Sequence, residues 1–268
     1  MFREVILNAL ATARARFLEI QGSSEAQKEL GIGAGGDVIR VLDLEVENAI
    51  LRSLKEDIKD FVLISEESGI KRHGSGGLNV VVDPVDGSTN ALRGYPACSS
   101  AIAIAEGDTL NSLVAAGVIN LITGDVYYAE KGLGAFLNGL RIRPRNVSRV
   151  EDALIAFELN VRGQISGYVN KVAKIIENAK HVRLIGSDAL EICFIASGAS
   201  DAFIDLRGFL RVPDFAAAVL TLKEAGGIIT NSDGREIECR LEPRSRSTIV
   251  AACTSELHSD ILGRIAKS

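Results

Sequence analysis

Cysteine and histidine are few in this chain and lie far apart. Cys98, Cys193, Cys239 and Cys253 form no Cys-x-x-Cys pair, which argues against a zinc ribbon or a disulfide framework. His73, His181 and His258 make no His-x-x-x-His pattern, so any bound metal is expected to have oxygen ligands and to be Mg²⁺ or Mn²⁺ rather than zinc. No Gly-Lys-Ser/Thr phosphate loop is present, and no run approaches the ~18 uninterrupted apolar residues of a membrane span. The start, Met1 to Leu10, carries an acid early and lacks the features of a signal peptide. A cytoplasmic protein with no membrane partner is expected. There is no basic excess either: 35 acidic residues face 30 basic ones, for a net charge of −5, so no nucleic acid partner is expected. An anionic ligand would need local cations or placed arginines. Tryptophan is absent and methionine occurs once, a composition compatible with a thermophilic source.

What is present is ample apolar content, 47% over 268 residues, enough for one large domain or two closely packed ones. Val5, Ile6, Ala9, Leu10, Ala13, Phe17 and Leu18 recur at helical spacing, and Leu44, Ala49, Ile50, Leu54 and Ile58 form a second stripe. Short strand-like runs follow at 61–64, 78–82, 100–105, 113–119 and 126–129, with few helices between them. They predict a mainly antiparallel sheet. From about residue 150 helices and strands alternate. The expected fold is an α+β and α/β layered sandwich, with an N-terminal domain over 1–146 and a C-terminal α/β domain over 147–268. The basic, proline-containing stretch Arg141 to Asn146 marks the boundary.

The most informative segment is Asp83-Pro84-Val85-Asp86-Gly87-Ser88-Thr89-Asn90, which ends the apolar run 78–82 with two acids. By itself it reads as an Asx-type turn. A strand ending this way also presents two carboxylates, and the Gly-Ser-Thr step offers N–H groups and hydroxyls to an anion. Glu66-Glu67-Ser68-Gly69 follows the run 61–65 in the same manner. Asp214 lies after Val212-Pro213 at the start of a helix, where helix-end physics alone would place it. Asp43 likewise suits a helix start. Gly31-Ile32-Gly33-Ala34-Gly35-Gly36 matches the dinucleotide fingerprint formally, but no strand precedes it, so a flexible loop is expected.

Together these elements resemble the inositol monophosphatase superfamily, and most of all its archaeal branch, whose members often combine inositol monophosphatase and fructose-1,6-bisphosphatase activities. Further matching segments are Lys131 to Gly139 and Gly186 to Glu191, so the resemblance covers nearly the whole chain. It implies a metal-dependent phosphomonoesterase acting by in-line attack of a metal-activated water. Glu66, Asp83, Asp86, Asp214 and the carbonyl of Val85 would bind two or three Mg²⁺ ions, with Mn²⁺ as an alternative. Electrostatics agrees, since two like charges ~4 Å apart repel by ~4 kcal/mol at an effective dielectric of 20, so converging carboxylates need cations. Glu66, Ser88 and Asp43 would handle the water, while Asp86, Gly87 and Ser88 would contact substrate. A homodimer is also implied.

Three positions depart from the family pattern: Pro213 stands for a common tryptophan, while Arg40 and Asp188 stand where small residues are frequent. Arg207 lies seven residues before Asp214, where inositol enzymes tend to have an acid. Arginine binds phosphate in a bidentate way. Arg207 and Arg183 are therefore candidates, with Asp188, for substrate binding, which favours fructose 1,6-bisphosphate beside inositol 1-phosphate. Arg211 could add positive charge or be a solvated surface residue. The alternatives are a nucleotide phosphatase, acting on 3′-phosphoadenosine 5′-phosphate or NADP, and a non-catalytic metal-binding relative.

Overall fold

A computed structural model describes residues 2–267. The elements of the first half are α1 (Phe2–Ile20), β1 (Glu29–Ile32), β2 (Val38–Arg40), α2 (Val41–Asp57), β3 (Phe61–Ser65), β4 (Gly69–His73), β5 (Leu78–Asp86), α3 (Ser88–Arg93), β6 (Ser99–Ala105), β7 (Leu113–Asn120), β8 (Val126–Glu130), β9 (Gly134–Leu137) and β10 (Leu140–Arg141). The second half adds β11 (Leu154–Phe157), α4 (Tyr168–Asn178), β12 (His181–Arg183), α5 (Asp188–Ser197), β13 (Ala202–Arg211), α6 (Val212–Ala225), β14 (Ile228–Thr230), β15 (Arg246–Ala252) and α7 (Ser255–Ile265). An eight-stranded sheet has the order β10-β9-β8-β7-β6-β5-β3-β4, and a five-stranded sheet the order β12-β11-β13-β15-β14. Within the large sheet every pairing is antiparallel except β3 with β5. That exception places the carboxyl ends of β3 and β5 side by side.

The layers follow from side-chain alternation, because successive residues of a strand face opposite sides of a sheet. On one face Val80, Val82, Ile102 and Ile104 pack with Ile6, Leu10, Phe17, Val46 and Ile50 of α1 and α2. On the other face Val81, Ala101, Ala103 and Ala105 join the core that contains Ala216, Ala217 and Ala218 of α6. Small residues on both partners let α6 lie close to the sheet, and it touches β5 through β9 as well as α5. The small sheet covers α5 and α6 from the far side, with α7 packed on β15 and α4 on α7. The order is therefore α-β-α-β-α, a layered sandwich as expected. Its consequence for the site is that the start of α6 reaches the end of β5 from the opposite layer.

The two N-terminal stripes lie on α1 and α2, except that Leu18 is 41% exposed, Leu44 is half-buried and Ile58 falls just past the end of α2, whose buried face also uses Leu42 and Val46. The glycine-rich stretch is a loop tied down by hydrogen bonds, with Gly31 and Ile32 still in β1. It is the turn of the β1–β2 hairpin, whose Ala34 and Gly35 N–H groups donate to the carbonyls of Glu67 (3.0 Å) and Glu66 (2.8 Å).

Gly117 of β7 marks where α1 sits on the sheet, since a Cβ there would lie 2.5 Å from Ile6 Cγ2 and 2.8 Å from Leu10 Cδ1. Gly117→Ala should cost about 1–3 kcal/mol by overpacking. Thermal unfolding checks this: the melting temperature should fall by about 2–4 °C per kcal/mol.

Candidate active site

Register brings the acids together. Ser65 of β3 pairs with Val82 of β5, so the residues that follow, Glu66 and Asp83, emerge as neighbours. The pairing of β5 with β6 then shifts between Asp83 and Asp86, and such a bulge turns the strand end. Gly87 completes the turn at φ 83°, with a hypothetical Cβ only 3.0 Å from the Gly186 carbonyl oxygen. Helix α3 starts at Ser88, and its first N–H groups have no intrahelical acceptor. Asp214 arrives on the first turn of α6. Carboxylate oxygens of Glu66, Asp83 and Asp214 all lie within 4.8 Å of one another.

Helix-end physics and site chemistry use different oxygens of the same acid. Asp214 Oδ2 accepts from the Arg211 backbone N–H (2.8 Å), while its Oδ1 is buried with no hydrogen-bond partner. Asp43 Oδ2 accepts from the Arg40 N–H (3.1 Å), and its Oδ1 accepts from Ser88 Oγ at 3.0 Å. The Val85 carbonyl is also within reach of that hydroxyl, at 2.8 Å. A hydroxyl has one proton, so the two acceptors share it. Asp83 holds the turn by accepting from the Val85 N–H (3.1 Å).

Asp86 is held differently from the metal-ligand expectation. Its Oδ2 accepts from Ser187 Oγ (2.6 Å), Ser99 Oγ (2.9 Å) and Ala189 N–H (3.0 Å), and its Oδ1 accepts from Asp188 N–H (3.1 Å). The carboxylate thus lies against the N-terminus of α5, outside the trio of Glu66, Asp83 and Asp214. Burial dominates the charge states. It pushes Glu66 up to about 8 against the pull of Arg211, and Asp86 up to about 6. Asp83 rises well above the ordinary carboxylate range through burial and the charges of Glu66, Asp86 and Asp214.

The arginines sort themselves by contact. Arg211 is 9% exposed, so the surface reading of this residue is wrong. Its guanidinium reaches Glu66 Oε1 (2.6 Å), Asp37 Oδ2 (3.1 Å) and Asp214 Oδ2 (3.3 Å). Arg207 already has its donors engaged: Nε and Nη2 pair with Asp205, and Nη1 with the Asn160 carbonyl and Glu158. A second phosphate at Arg207 would have to displace those acceptors. Arg183 is exposed, donates to its own Val182 carbonyl, and lines a cleft with Leu154, Ile185 and Phe194. Asp188 sits beside Asp86 with its Oδ1 unpartnered.

Other residues of the site went unread in the sequence. Glu47 is buried on α2 one turn after Asp43, accepts a short hydrogen bond from Ser65 Oγ, and receives the Ser68 N–H at 3.3 Å. The Asp-x-x-x-Glu spacing on the apolar face of α2 was the available signal. Ser187 lies in the matching segment Gly186 to Glu191 but with no role implied there, and Ser99 and Asp37 carried no signal. Glu67 is 8% exposed and is pushed up to about 9, first by burial and then by Glu66, Asp43 and Glu47.

Such a set of buried, oxygen-only donors could hold a divalent cation, because the orphaned Asp214 Oδ1 and the converging carboxylates lack compensating positive charge beyond Arg211. The layered fold and the buried acidic cluster together are those of the inositol monophosphatase fold. The chain belongs to the inositol monophosphatase family, whose model matches residues 3–268. It is 37% identical over 252 residues to a fructose-1,6-bisphosphatase/inositol-1-monophosphatase of Methanothermobacter thermautotrophicus, covering 90% of this chain and 88% of that one. It is 34% identical to a bifunctional NADP phosphatase/NAD kinase of Methanococcus maripaludis, matching 97% of this chain but 48% of that protein. Among solved structures, a Pyrococcus horikoshii protein with similarities to inositol-1 monophosphatase superposes with a TM-score of 0.83 at 30% identity, covering 98% and 97% of the two chains.

The raised carboxyl groups set a pH dependence. Glu66 and Glu67 move from about 4.5 unfolded to about 8 and about 9 folded. Stability from such groups is complete below the unfolded value and is lost as pH rises through the folded one. In a chelator the melting temperature should therefore fall from pH 6 to pH 9, and excess Mg²⁺ should flatten the fall. A melting temperature that rose with pH in chelator would contradict this assignment.

Proposed function

We propose that the chain hydrolyses the phosphomonoester of a small sugar or polyol, with inositol 1-phosphate and fructose 1,6-bisphosphate as its substrates. The observation that carries this reading is the convergence of Glu66, Asp83 and Asp214 next to the Ser88–Asp43 pair. Two or three Mg²⁺ ions, or Mn²⁺, would be held by Glu66, Asp83, Asp86, Asp214 and the Val85 carbonyl. Asp86 Oδ1, which accepts only the Asp188 N–H, is the oxygen with capacity left for a cation. When bound, such ions activate water and offset charge on the phosphate and the departing alkoxide.

The residues of the chain supply the rest. Ser88 Oγ donates to Asp43, which leaves its lone pairs to accept a proton from the attacking water. Glu66, held by Arg211 through Oε1, would be a second acceptor. The N–H groups of Gly87 and Ser88 face the phosphate oxygens. Asn90 joins the turn to the C-terminal half by donating to the Ile185 carbonyl (2.7 Å), so the segment around Asp188 keeps its place. Asp188 suits a hydroxyl donor of a sugar better than a second phosphate. Arg207 then acts through Asp205 and Glu158, while Arg183 faces a cleft lined by Leu154, Ile185 and Phe194 rather than the acidic trio.

The NADP phosphatase reading keeps its place beside this one because of the relative from Methanococcus maripaludis. A cytoplasmic homodimer is the assembly that the family resemblance suggests, and light scattering on the purified protein reads it.

Two measurements test the proposal. Asp214→Asn and Asp83→Asn should each lower Mg²⁺-dependent kcat by about a thousandfold or more, since each leaves the phosphate charge uncompensated; full activity in either would sink the mechanism. Catalytic efficiency on inositol 1-phosphate, fructose 1,6-bisphosphate, NADP and 3′-phosphoadenosine 5′-phosphate should favour the first two. Arg207→Ala should lower efficiency on both by similar factors, whereas a loss confined to the bisphosphate would make Arg207 its phosphate clamp.

A further inference from the structure

We propose that Arg211 is an internal competitor of the divalent cations, a tethered positive charge that lowers their affinity for the cluster it compensates. This inference rests on the metal-dependent reading above. Arg211 ends β13 and caps α6, so its backbone position is fixed by both elements. Its backbone N–H holds Asp214 Oδ2 at 2.8 Å, and its Nε approaches the same oxygen at 3.3 Å. Its Nη2 lies 2.6 Å from Glu66 Oε1 and its Nη1 lies 3.1 Å from Asp37 Oδ2. Two of these three carboxylates, those of Glu66 and Asp214, belong to the trio whose oxygens lie within 4.8 Å of one another. One guanidinium therefore neutralises the same charge that a cation would.

The enclosure makes this a built arrangement and not a surface contact. Gly35 lies against the guanidinium so closely that a Cβ would stand 2.5 Å from Nη1 and 3.1 Å from Glu66 Cγ. The Gly35 N–H donates to the Glu66 carbonyl, and Arg244 Nε holds the Ala34 carbonyl at 2.7 Å. The β1–β2 turn thus closes over Arg211 and keeps it against the acids. A side chain tied to the backbone has no translational freedom to lose, so it compensates the carboxylates at little entropic cost. Any ion that binds Glu66 and Asp214 must repel or displace it, and by linkage the arginine weakens the ion as much as the ion weakens the arginine pair.

Mn²⁺ titrated calorimetrically into the full-length protein gives the test, with Arg211→Met and Arg211→Lys beside wild type. Removing the charge should tighten Mn²⁺ binding at least about tenfold, while lysine, which keeps it, should bind like wild type. Arg211→Met should also melt lower than wild type in chelator and gain more from saturating Mn²⁺, because tighter binding gives greater stabilisation. Equal or weaker Mn²⁺ binding in Arg211→Met would overturn the proposal and make Arg211 a positioning residue for Glu66. If the methionine variant folds only with Mn²⁺, the competition is supported; if it fails to fold even in saturating Mn²⁺, Arg211 is part of the scaffold and the proposal fails. A wild-type protein whose Mn²⁺ binding is absent, or indifferent to Asp214→Asn, would defeat the metal-dependent reading itself, and the competition with it.

Discussion

Repulsion among carboxylates that the fold removes from water is the constraint on which the rest of the structure depends. Asp83 and Asp214 are buried, Glu66 has an oxygen within 4.8 Å of each, and Asp43, Glu47 and Glu67 are buried near enough for their charges to act on one another. In an ordinary core each acid would be neutral or paired with a base. Here one arginine serves several acids, and the raised carboxyl groups show how much charge remains to be met. The parallel β3–β5 pair, the β5 bulge, Gly87 and the inward start of α6 all act to bring that charge to one place. The same elements also close the core, through Leu63, Val80, Val82, Val212 and Phe215, so packing and site share one scaffold.

A second thread is the division of labour within single side chains. Asp43 and Asp214 each give one oxygen to the N-terminus of their own helix and turn the other to the site. The helix end thereby fixes the direction of the functional oxygen, which a free side chain could not hold. Asp86 shows the converse, with both oxygens committed to Ser99, Ser187 and the first turn of α5. That commitment joins the large sheet to the C-terminal half through one carboxylate.

Much of this was legible before any coordinates. The stripes of α1 and α2 follow from helical periodicity, and β5 from an apolar run that ends in Asp83. Local signals were enough there because each element reports its own period. Contacts between distant segments were not legible. Arg211 looked like a solvated charge because nothing near it in sequence shows that α6 turns inward beneath the Gly35 turn. Arg207 looked available for phosphate because Glu158 and the Asn160 carbonyl meet it only through the fold, although its other partner, Asp205, lies two residues away in β13. The glycine-rich stretch looked loose because its hydrogen bonds go to the Glu66 and Glu67 carbonyls, more than thirty residues away.

The central claim is that Glu66, Asp83 and Asp214 form a cation site that serves phosphate ester hydrolysis. Anomalous diffraction from crystals soaked in Mn²⁺ tests it most directly. The account expects at least one strong peak about 2.2 Å from oxygens of these three residues, diminished in Asp214→Asn crystals. Peaks elsewhere, with none at the trio in crystals of active enzyme, would contradict it.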